Sequence, residues 1–227
     1  MKDKPLRLQN VELKFGDFIA ISNLTLELDL KEFLVIVGPS GCGKSTLLSL
    51  MAGHQKPTSG SIEKRLNSRT VFQGDGLLPW LTVSQNIVFA SETQNHKDPE
   101  QALQLIGMKK FADHFPHELS GGMKQRVEIA RALQAQSPLI LLDEPFSNLD
   151  YLTRKRMRLE LKKIFRDQGI SAVLVTHDID EAVELADRIL VLAGPPARVT
   201  DEIIVEKTEP AAAVVARILK SVGMEAT

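Results

Sequence analysis

The sequence predicts an α/β fold: a mainly parallel sheet covered by helices, with an antiparallel β unit at the N-terminus and a helical insertion. Three observations carry that reading. Apolar, β-rich runs at residues 33–37, 69–72, 138–142, 171–175 and 188–193 are each followed by a helical pattern, and such alternation builds a parallel sheet with helices on its faces. Up to about Leu30 apolar and polar residues alternate instead, through Val11, Leu13 and Phe15 and then Leu24, Leu26 and Leu28. That pattern fits antiparallel strands with one wet face. Between Thr82 and Gln136 the pattern is helical.

The first apolar strand runs into Gly38-Pro39-Ser40-Gly41-Cys42-Gly43-Lys44-Ser45-Thr46, and a helix-like stretch at 45–52 follows. The run fits G-x-x-x-x-G-K-[ST], and strand, glycine loop and helix in this order mark a nucleotide phosphate site. The glycines let backbone N–H groups approach phosphates with no Cβ in the way. The helix that follows turns its positive end toward the anion. Lys44 is placed to reach the β- and γ-phosphates, and the Ser45 hydroxyl to ligate Mg²⁺. Cys42 lies inside the loop. Its small side chain is simply tolerated there, or its thiol has a depressed pKa near the helix N-terminus and alkylation would block nucleotide.

In the helical insertion, Thr82-x-x-Gln85 reads as a capping box. Asp98-Pro99 reads as N-cap and first helical residue, with Gly107 as the stop. A third helix is expected over 122–135, behind Leu119-Ser120-Gly121-Gly122-Met123-Lys124-Gln125-Arg126. Ser120 is a good N-cap and the two glycines permit close approach to something large. Taken alone, this run is equally an ordinary capped helix or a ligand site.

The strand at 139–142 is apolar throughout, as a strand buried on both faces is, and it ends in Asp143 and Glu144. The carboxyl end of such a strand is where a doubly wound sheet places ligands. Asp143 is expected to hold Mg²⁺, directly or through water, and Glu144 to polarise an attacking water. Further on, Met157, Leu161 and Ile164 share one helical face while Arg154, Arg158 and Lys162 share another, and the basic face reads as solvated rather than as a nucleic-acid surface. His177 follows the run 172–175 and precedes Asp178-x-x-Glu181, a second capping-box pattern, which puts it at the ligand edge of the sheet. From about residue 207 a short apolar helix pattern contains Val214, Val215, Ile218 and Leu219.

Composition bounds the rest. With 227 residues the chain is long enough for one full core and a small second lobe, and 43% hydrophobic content fits a globular protein. A net charge of −1 gives no pull toward nucleic acid or anionic lipid. No apolar run approaches the length of a bilayer span, and the N-terminus lacks the apolar region of a secretory signal. A single cysteine allows no internal disulfide, so a cytosolic location is the default expectation. Any membrane role then comes through a partner chain.

The order GPSGCGKST, Gln73, LSGGMKQR, LILLDEP, Ser147-Asn148-Leu149-Asp150 and His177 resembles an ATP-binding-cassette ATPase over about residues 8–205. The resemblance implies a phosphate-loop NTPase core with an antiparallel N-terminal sheet and a helical lobe, binding ATP and Mg²⁺. It implies that Gln73 touches Mg²⁺ or the attacking water and senses a transmembrane partner. It implies that Ser120, Gly121 and Gly122 contact the γ-phosphate of ATP bound to the other subunit, that Asp150 belongs to a loop crossing the dimer, and that His177 bonds the γ-phosphate. Phe15 falls where the family places an adenine-stacking aromatic, usually Tyr, and a core Phe remains open there. The implied organisation is one cassette, with 1–75 and 137–206 as the α/β core, 76–136 as the helical lobe and 207–227 as a tail helix.

The run Gly76-Leu77-Leu78-Pro79-Trp80-Leu81-Thr82-Val83 resembles importers for nitrate, sulfonates, taurine and related solutes, as do LSGGM and Leu192-Ala193-Gly194-Pro195-Pro196-Ala197-Arg198. Its leucines and tryptophan either pack the helical lobe on the core or form a greasy groove for a helix of a membrane subunit. The segment 60–69 is shorter than usual for this group, so one hairpin is expected to be trimmed. Lys31 stands where a glycine is usual. The chain is also expected to lack the extra regulatory domain of sugar-importer relatives. The expected assembly is a head-to-tail homodimer of ATPase subunits with transmembrane permease subunits and, indirectly, an extracytoplasmic solute-binding protein, at the cytoplasmic face of the membrane and without nucleic acid. The alternative is a soluble cassette ATPase acting on DNA or ribosomes, or the ATPase of another transporter class.

Overall fold

The computed structural model describes residues 4–72, 76–90, 98–206 and 208–223. Two sheets organise it. Strand β1 (Leu6–Phe15) pairs antiparallel with β2 (Phe18–Leu28) and, on its other edge, with β4 (Ser59–Lys64). The alternation read in the sequence is the physical pattern: Leu6, Leu8, Val11, Leu13, Leu24, Leu26 and Leu28 are buried. Phe15 departs from it, being 51% exposed at the strand's end, so it is not a core residue. Residues 65–67 lead straight from β4 into the second sheet.

The second sheet has six strands in the order β5-β6-β7-β3-β8-β9, formed by β3 (Phe33–Val37), β5 (Ser68–Val71), β6 (Leu139–Asp143), β7 (Ser171–Thr176), β8 (Arg188–Ala193) and β9 (Arg198–Ile204). The first five run parallel and β9 closes the edge antiparallel. The inner strands β3, β6, β7 and β8 are covered on both faces, which is why they read as largely unbroken apolar runs. Val35, Val37, Ile140, Leu142, Ala172 and Leu174 face one core; Leu34, Ile36, Leu139, Leu141, Val173 and Val175 face the other.

The second core is closed by the N-terminal sheet and by α1 (Lys44–Ala52), through Leu47, Leu48 and Met51. The first core takes its cover from α2 (Val83–Phe89), α3 (Glu100–Leu105), α4 (Gly121–Gln134), α5 (Tyr151–Gln168), α6 (Ile179–Leu185) and α7 (Ala211–Ser221). Helix α7 rests on α6 and β9 through Val214 and Ile218.

The Thr82 capping box forms as read. Helix α3 starts at Glu100, one residue after the expected first helical position, with Asp98 Oδ1 accepting the Glu100 N–H at 3.0 Å. Gly107 ends it at φ 67°. Two readings are corrected. Only half of the second capping box exists: Asp178 accepts the Glu181 N–H, but the Glu181 carboxylate turns to Thr176 Oγ1 at 2.7 Å. The basic face of α5 is not solvated. Arg158 is buried and paired with Glu184 at 3.0 Å, Arg154 pairs with Asp178 at 3.2 Å, and Lys162 donates to the Glu184 carbonyl, so the face is spent on α6 and its flanks. Lys31 sits at φ 61°, a left-handed backbone that glycine adopts freely, and its N–H is held by Ser171 Oγ at 2.9 Å.

Candidate nucleotide site

The register of three neighbouring strands assembles the site. Val37 lies opposite Thr176, and Asp143 opposite Val175. The residues that leave the sheet next, Gly38, Glu144 and His177, therefore emerge side by side at its carboxyl edge, where open α/β sheets bind ligands.

The loop 38–43 leaves β3 and turns into α1 through Gly43, whose φ of 105° and a Cβ position only 2.9 Å from Ala197 Cβ admit no side chain. Lys44 is buried, with Nζ donating to the carbonyls of Gly38 at 2.8 Å and Pro39 at 3.0 Å. The ammonium is thus held across the mouth of the loop. Ser40, Gly41, Ser45 and Thr46 follow the same path, and a Cβ on Gly41 would meet open space. Cys42 corrects the reactive-thiol reading. It is 1% exposed in the second core, and burial raises its thiol pKa against the pull of Lys44. A buried, protonated thiol is a poor target for alkylation.

Ser45 Oγ donates to Asp143 Oδ1 at 3.0 Å, bringing together the two side chains expected at Mg²⁺. Burial raises the Asp143 pKa above its ordinary value; the Ser45 bond opposes this, Glu144 adds to it and Lys44 opposes it. Among the described residues no group of three or more His, Cys, Asp or Glu side chains is arranged to hold a metal. The Ser45 hydroxyl and the Asp143 carboxylate are hard oxygen donors that suit Mg²⁺, which keeps most of its waters and takes one or two protein oxygens plus phosphates.

Glu144 stands at φ 45°, an uncommon backbone for a residue with a side chain. Its N–H donates to Val175 O at 3.0 Å, and its carbonyl accepts from Ser147 Oγ at 3.0 Å, Ser147 N at 3.2 Å and Gln125 Nε2 at 3.2 Å. Over-determined strain of this kind clusters at functional sites. The side chain meets His177, with Nδ1 to Glu144 Oε1 at 3.0 Å. That leaves Nε2 of the exposed imidazole for another partner. The Gln125 contact was not read from the sequence, because nothing in a helical motif shows which distant carbonyl its amide will reach.

Ser120 caps α4 by accepting the Met123 N–H at 3.3 Å. The two glycines after it differ. A Cβ on Gly122 would lie 2.9 Å from Asn148 O, so this glycine serves packing within the chain, whereas a Cβ on Gly121 meets nothing. The open approach is at Gly121 alone. Asp150 caps α5 by accepting the Thr153 N–H at 3.0 Å, and that hydrogen bonding lowers its pKa. Gln73 lies outside the described residues. Leu77 is core, while Trp80 is 70% exposed, so packing between lobes does not account for the tryptophan. Asn86, unremarked in the sequence, is fully buried and clamps this loop: its Oδ1 accepts the Leu78 N–H at 2.8 Å, and its Nδ2 donates to the carbonyls of Leu81 at 2.9 Å and Thr82 at 3.0 Å.

Comparison with known proteins agrees with this geometry. Residues 21–147 match the family model described as ABC transporter. A nitrate import ATP-binding protein, NrtC, of Synechococcus elongatus is 43% identical over 205 residues, covering 83% of this chain and 31% of the relative. A bicarbonate transport ATP-binding protein, CmpC, of the same species is 42% identical over 210 residues, covering 83% of this chain and 32% of the relative. The chain thus spans about a third of the length of these curated relatives. A solved dimeric structure of a post-hydrolysis state of the ATP-binding cassette MJ0796, bound to ADP and Pi, superposes with a TM-score of 0.78 at 32% identity, covering 88% of this chain and 99% of that one. On the family match, and on a phosphate loop, paired carboxylates and a histidine gathered at one sheet edge, the chain belongs to the ABC transporter family as one of its ATPase cassettes.

Proposed function

We propose that the chain is the ATP-hydrolysing subunit of an importer, working as a head-to-tail pair beneath transmembrane permease subunits at the cytoplasmic face of the membrane. The observation that carries this reading is the Glu144–His177 contact at 3.0 Å together with the Ser45–Asp143 contact at 3.0 Å, at the sheet edge from which the phosphate loop leaves β3. The Glu144 carboxylate takes the proton of a water aimed at the γ-phosphate. His177 bonds the γ-phosphate by donating from Nε2, and it makes that bond together with the Nδ1 contact to the carboxylate only as the imidazolium, which carries both N–H donors. Lys44 exchanges its loop carbonyls for the β- and γ-phosphate oxygens. Ser45 and Asp143, with Gln73, would hold Mg²⁺, which when bound neutralises charge on those oxygens. Phe15, exposed at the end of β1, is free to stack on adenine.

In the pair, Ser120 and Gly121 of one chain close on the γ-phosphate held by the other, and Asp150 lies in the crossing loop. ATP favours the closed pair because ADP lacks the bridging phosphate. The similarity to nitrate and bicarbonate import proteins, 43% and 42% identical, supports a small solute, delivered to the permease by an extracytoplasmic binding protein. Residues 1–75 and 137–206 act as the core, 76–136 as the lobe that meets the permease, and 207–227 as a tail. No described helix is long and apolar enough to cross a membrane, so attachment is through the permease. The exposed Trp80, on a loop clamped by Asn86, supports a docking surface.

Glu144→Gln keeps the shape and removes the base. Hydrolysis is expected to fall by about 10²–10⁴-fold with MgATP binding retained, and the variant should elute as a pair in ATP. Hydrolysis at the parental rate would reject Glu144 as the base. Co-purification with nucleic acid or ribosomes, and not with a membrane protein, would reject the importer reading.

A further inference from the structure

The turn that carries His177 is gripped from both sides. Thr176 Oγ1 accepts the Asp178 N–H at 3.0 Å and donates to the buried Glu181 carboxylate at 2.7 Å. Asp178 then divides its own carboxylate. Oδ1 caps α6 by accepting the Glu181 N–H at 3.2 Å, and Oδ2 accepts from Arg154 Nη1 at 3.2 Å. The second arm of the Arg154 guanidinium donates from Nη2 to the Leu149 carbonyl at 3.1 Å, one residue before Asp150. Arg154 and Asp178 are each about three-quarters buried, at 27% and 24% side-chain exposure, so the pair is shielded more than a surface ion pair.

These contacts close a ring. From Glu144 the chain turns through Ser147, whose N–H bonds the Glu144 carbonyl at 3.2 Å, and through Leu149, whose N–H bonds Phe146 O at 3.1 Å. Arg154 spans from Leu149 to Asp178, and His177 returns to Glu144 at 3.0 Å. The ring surrounds a cavity of about 70 Å³ lined by Glu144, Ser147, Arg154, His177 and Glu181 among others. The planar fork meets the carboxylate and the carbonyl from separate nitrogens fixed in one plane, whereas lysine would have to reach both from a single nitrogen.

We propose that Arg154 is a positioning residue for hydrolysis. It ties the 147–150 loop to the His177 turn, so that the Glu144–His177 pair keeps its register when that loop meets a second chain. This rests on the hydrolytic reading of Glu144 and His177. Misplacing a catalytic group by about 1 Å costs up to about 10²-fold in rate. The effect falls on turnover, because Arg154 is not part of the phosphate loop that holds the nucleotide.

The test is steady-state ATPase kinetics on the full chain. Arg154→Gln and Asp178→Asn, the latter keeping a capping side chain, are each expected to lower kcat by about tenfold with KM for MgATP within about twofold. The double variant should be no slower than the worse single one, as for residues acting through one contact. Arg154→Lys should fall between parent and Arg154→Gln, and it serves as the readout if Arg154→Gln folds poorly. Arg166→Gln, which breaks the more exposed pair with Asp187 at 3.3 Å on the same helix, should keep parental kcat. Parental kcat in Arg154→Gln or Arg154→Lys, multiplying losses in the double variant, or a loss seen in KM alone overturns the proposal. Glu144→Gln is run in parallel. If it is slow while Arg154→Gln is normal, only the positioning role fails; if it is itself normal, the hydrolytic reading fails and takes this one with it.

Discussion

At the scale of single residues, the buried carboxylate of Asp143 carries a stability cost that depends on pH. Burial raises the Asp143 pKa above its ordinary 3.8. The folded chain therefore binds that proton more tightly than the unfolded chain, and stability is lost as pH rises above 3.8 through the folded pKa. Asp143→Asn removes the buried charge and keeps an acceptor for Ser45. Its melting midpoint should exceed the parent's near about pH 7.5, and the gain should vanish by about pH 3, below the ordinary 3.8, where both states of the parent are protonated. A midpoint equal to or below the parent's near neutral pH would contradict the burial argument. The two glycines at the start of α4 differ in role. Gly122→Ala places a Cβ 2.9 Å from Asn148 O and should destabilise by about 1–3 kcal/mol, whereas Gly121→Ala faces open space and should leave the midpoint unchanged while weakening ATP-dependent pairing. Equal midpoints for both would refute the division of labour. The motif residues themselves were legible in the sequence, because backbone cradles and carboxylates at strand ends need fixed residue types. The burial of Cys42, the left-handed backbone of Glu144 and the split between Gly121 and Gly122 were not, because each depends on a neighbour far away in the chain.

At the scale of elements, the strands were legible from their apolar runs, and the helix starts from Thr82, Asp98 and Ser120. The strand order was not, since residues buried on both faces carry no mark of which neighbour lies beside them. Side-chain partners between elements were hidden for the same reason. The arginines of α5 looked solvated by period alone, and only the placement of α6 shows Arg158 paired with Glu184. The loop before α2 makes a testable case. Trp80 is 70% exposed, so Trp80→Ala should change stability by less than about 0.5 kcal/mol while reducing co-purification with a membrane partner. Asn86→Ala leaves the Leu78 N–H and the Leu81 carbonyl without their side-chain partner, while the Thr82 carbonyl keeps the backbone N–H of residue 86 at 2.8 Å; each group left unpaired costs about 1–3 kcal/mol when buried. A thermal melt separates the two: a large drop in Trp80→Ala, or none in Asn86→Ala, would reverse the assignment.

At the scale of the whole molecule, the question is whether a nucleotide site is complete within one chain. Lys44, Asp143, Glu144 and His177 meet at one sheet edge, but Ser120 spends its hydroxyl on the α4 cap at 3.3 Å and presents an open face at Gly121. If that face serves the partner's nucleotide, Ser120→Ala and Glu144→Gln impair different halves of every composite site. Each variant alone gives pairs in which both sites are defective. A mixed pair has one site with both defects and one with neither, built from Glu144 of the first variant and Ser120 of the second. An equal mixture of two poorly active proteins should then recover up to about a quarter of the parental rate, since about half the pairs are mixed and each holds one sound site of two. Ser120→Ala also loses its helix cap at a cost of about 1 kcal/mol, so its folded fraction is checked by melt before mixing. The rate of the mixture, measured against the average of the two variants alone, decides the matter. A site complete in one chain predicts the plain average, because no pairing can then unite a good Glu144 with a good Ser120, and that result would end the trans reading of the Ser120 face.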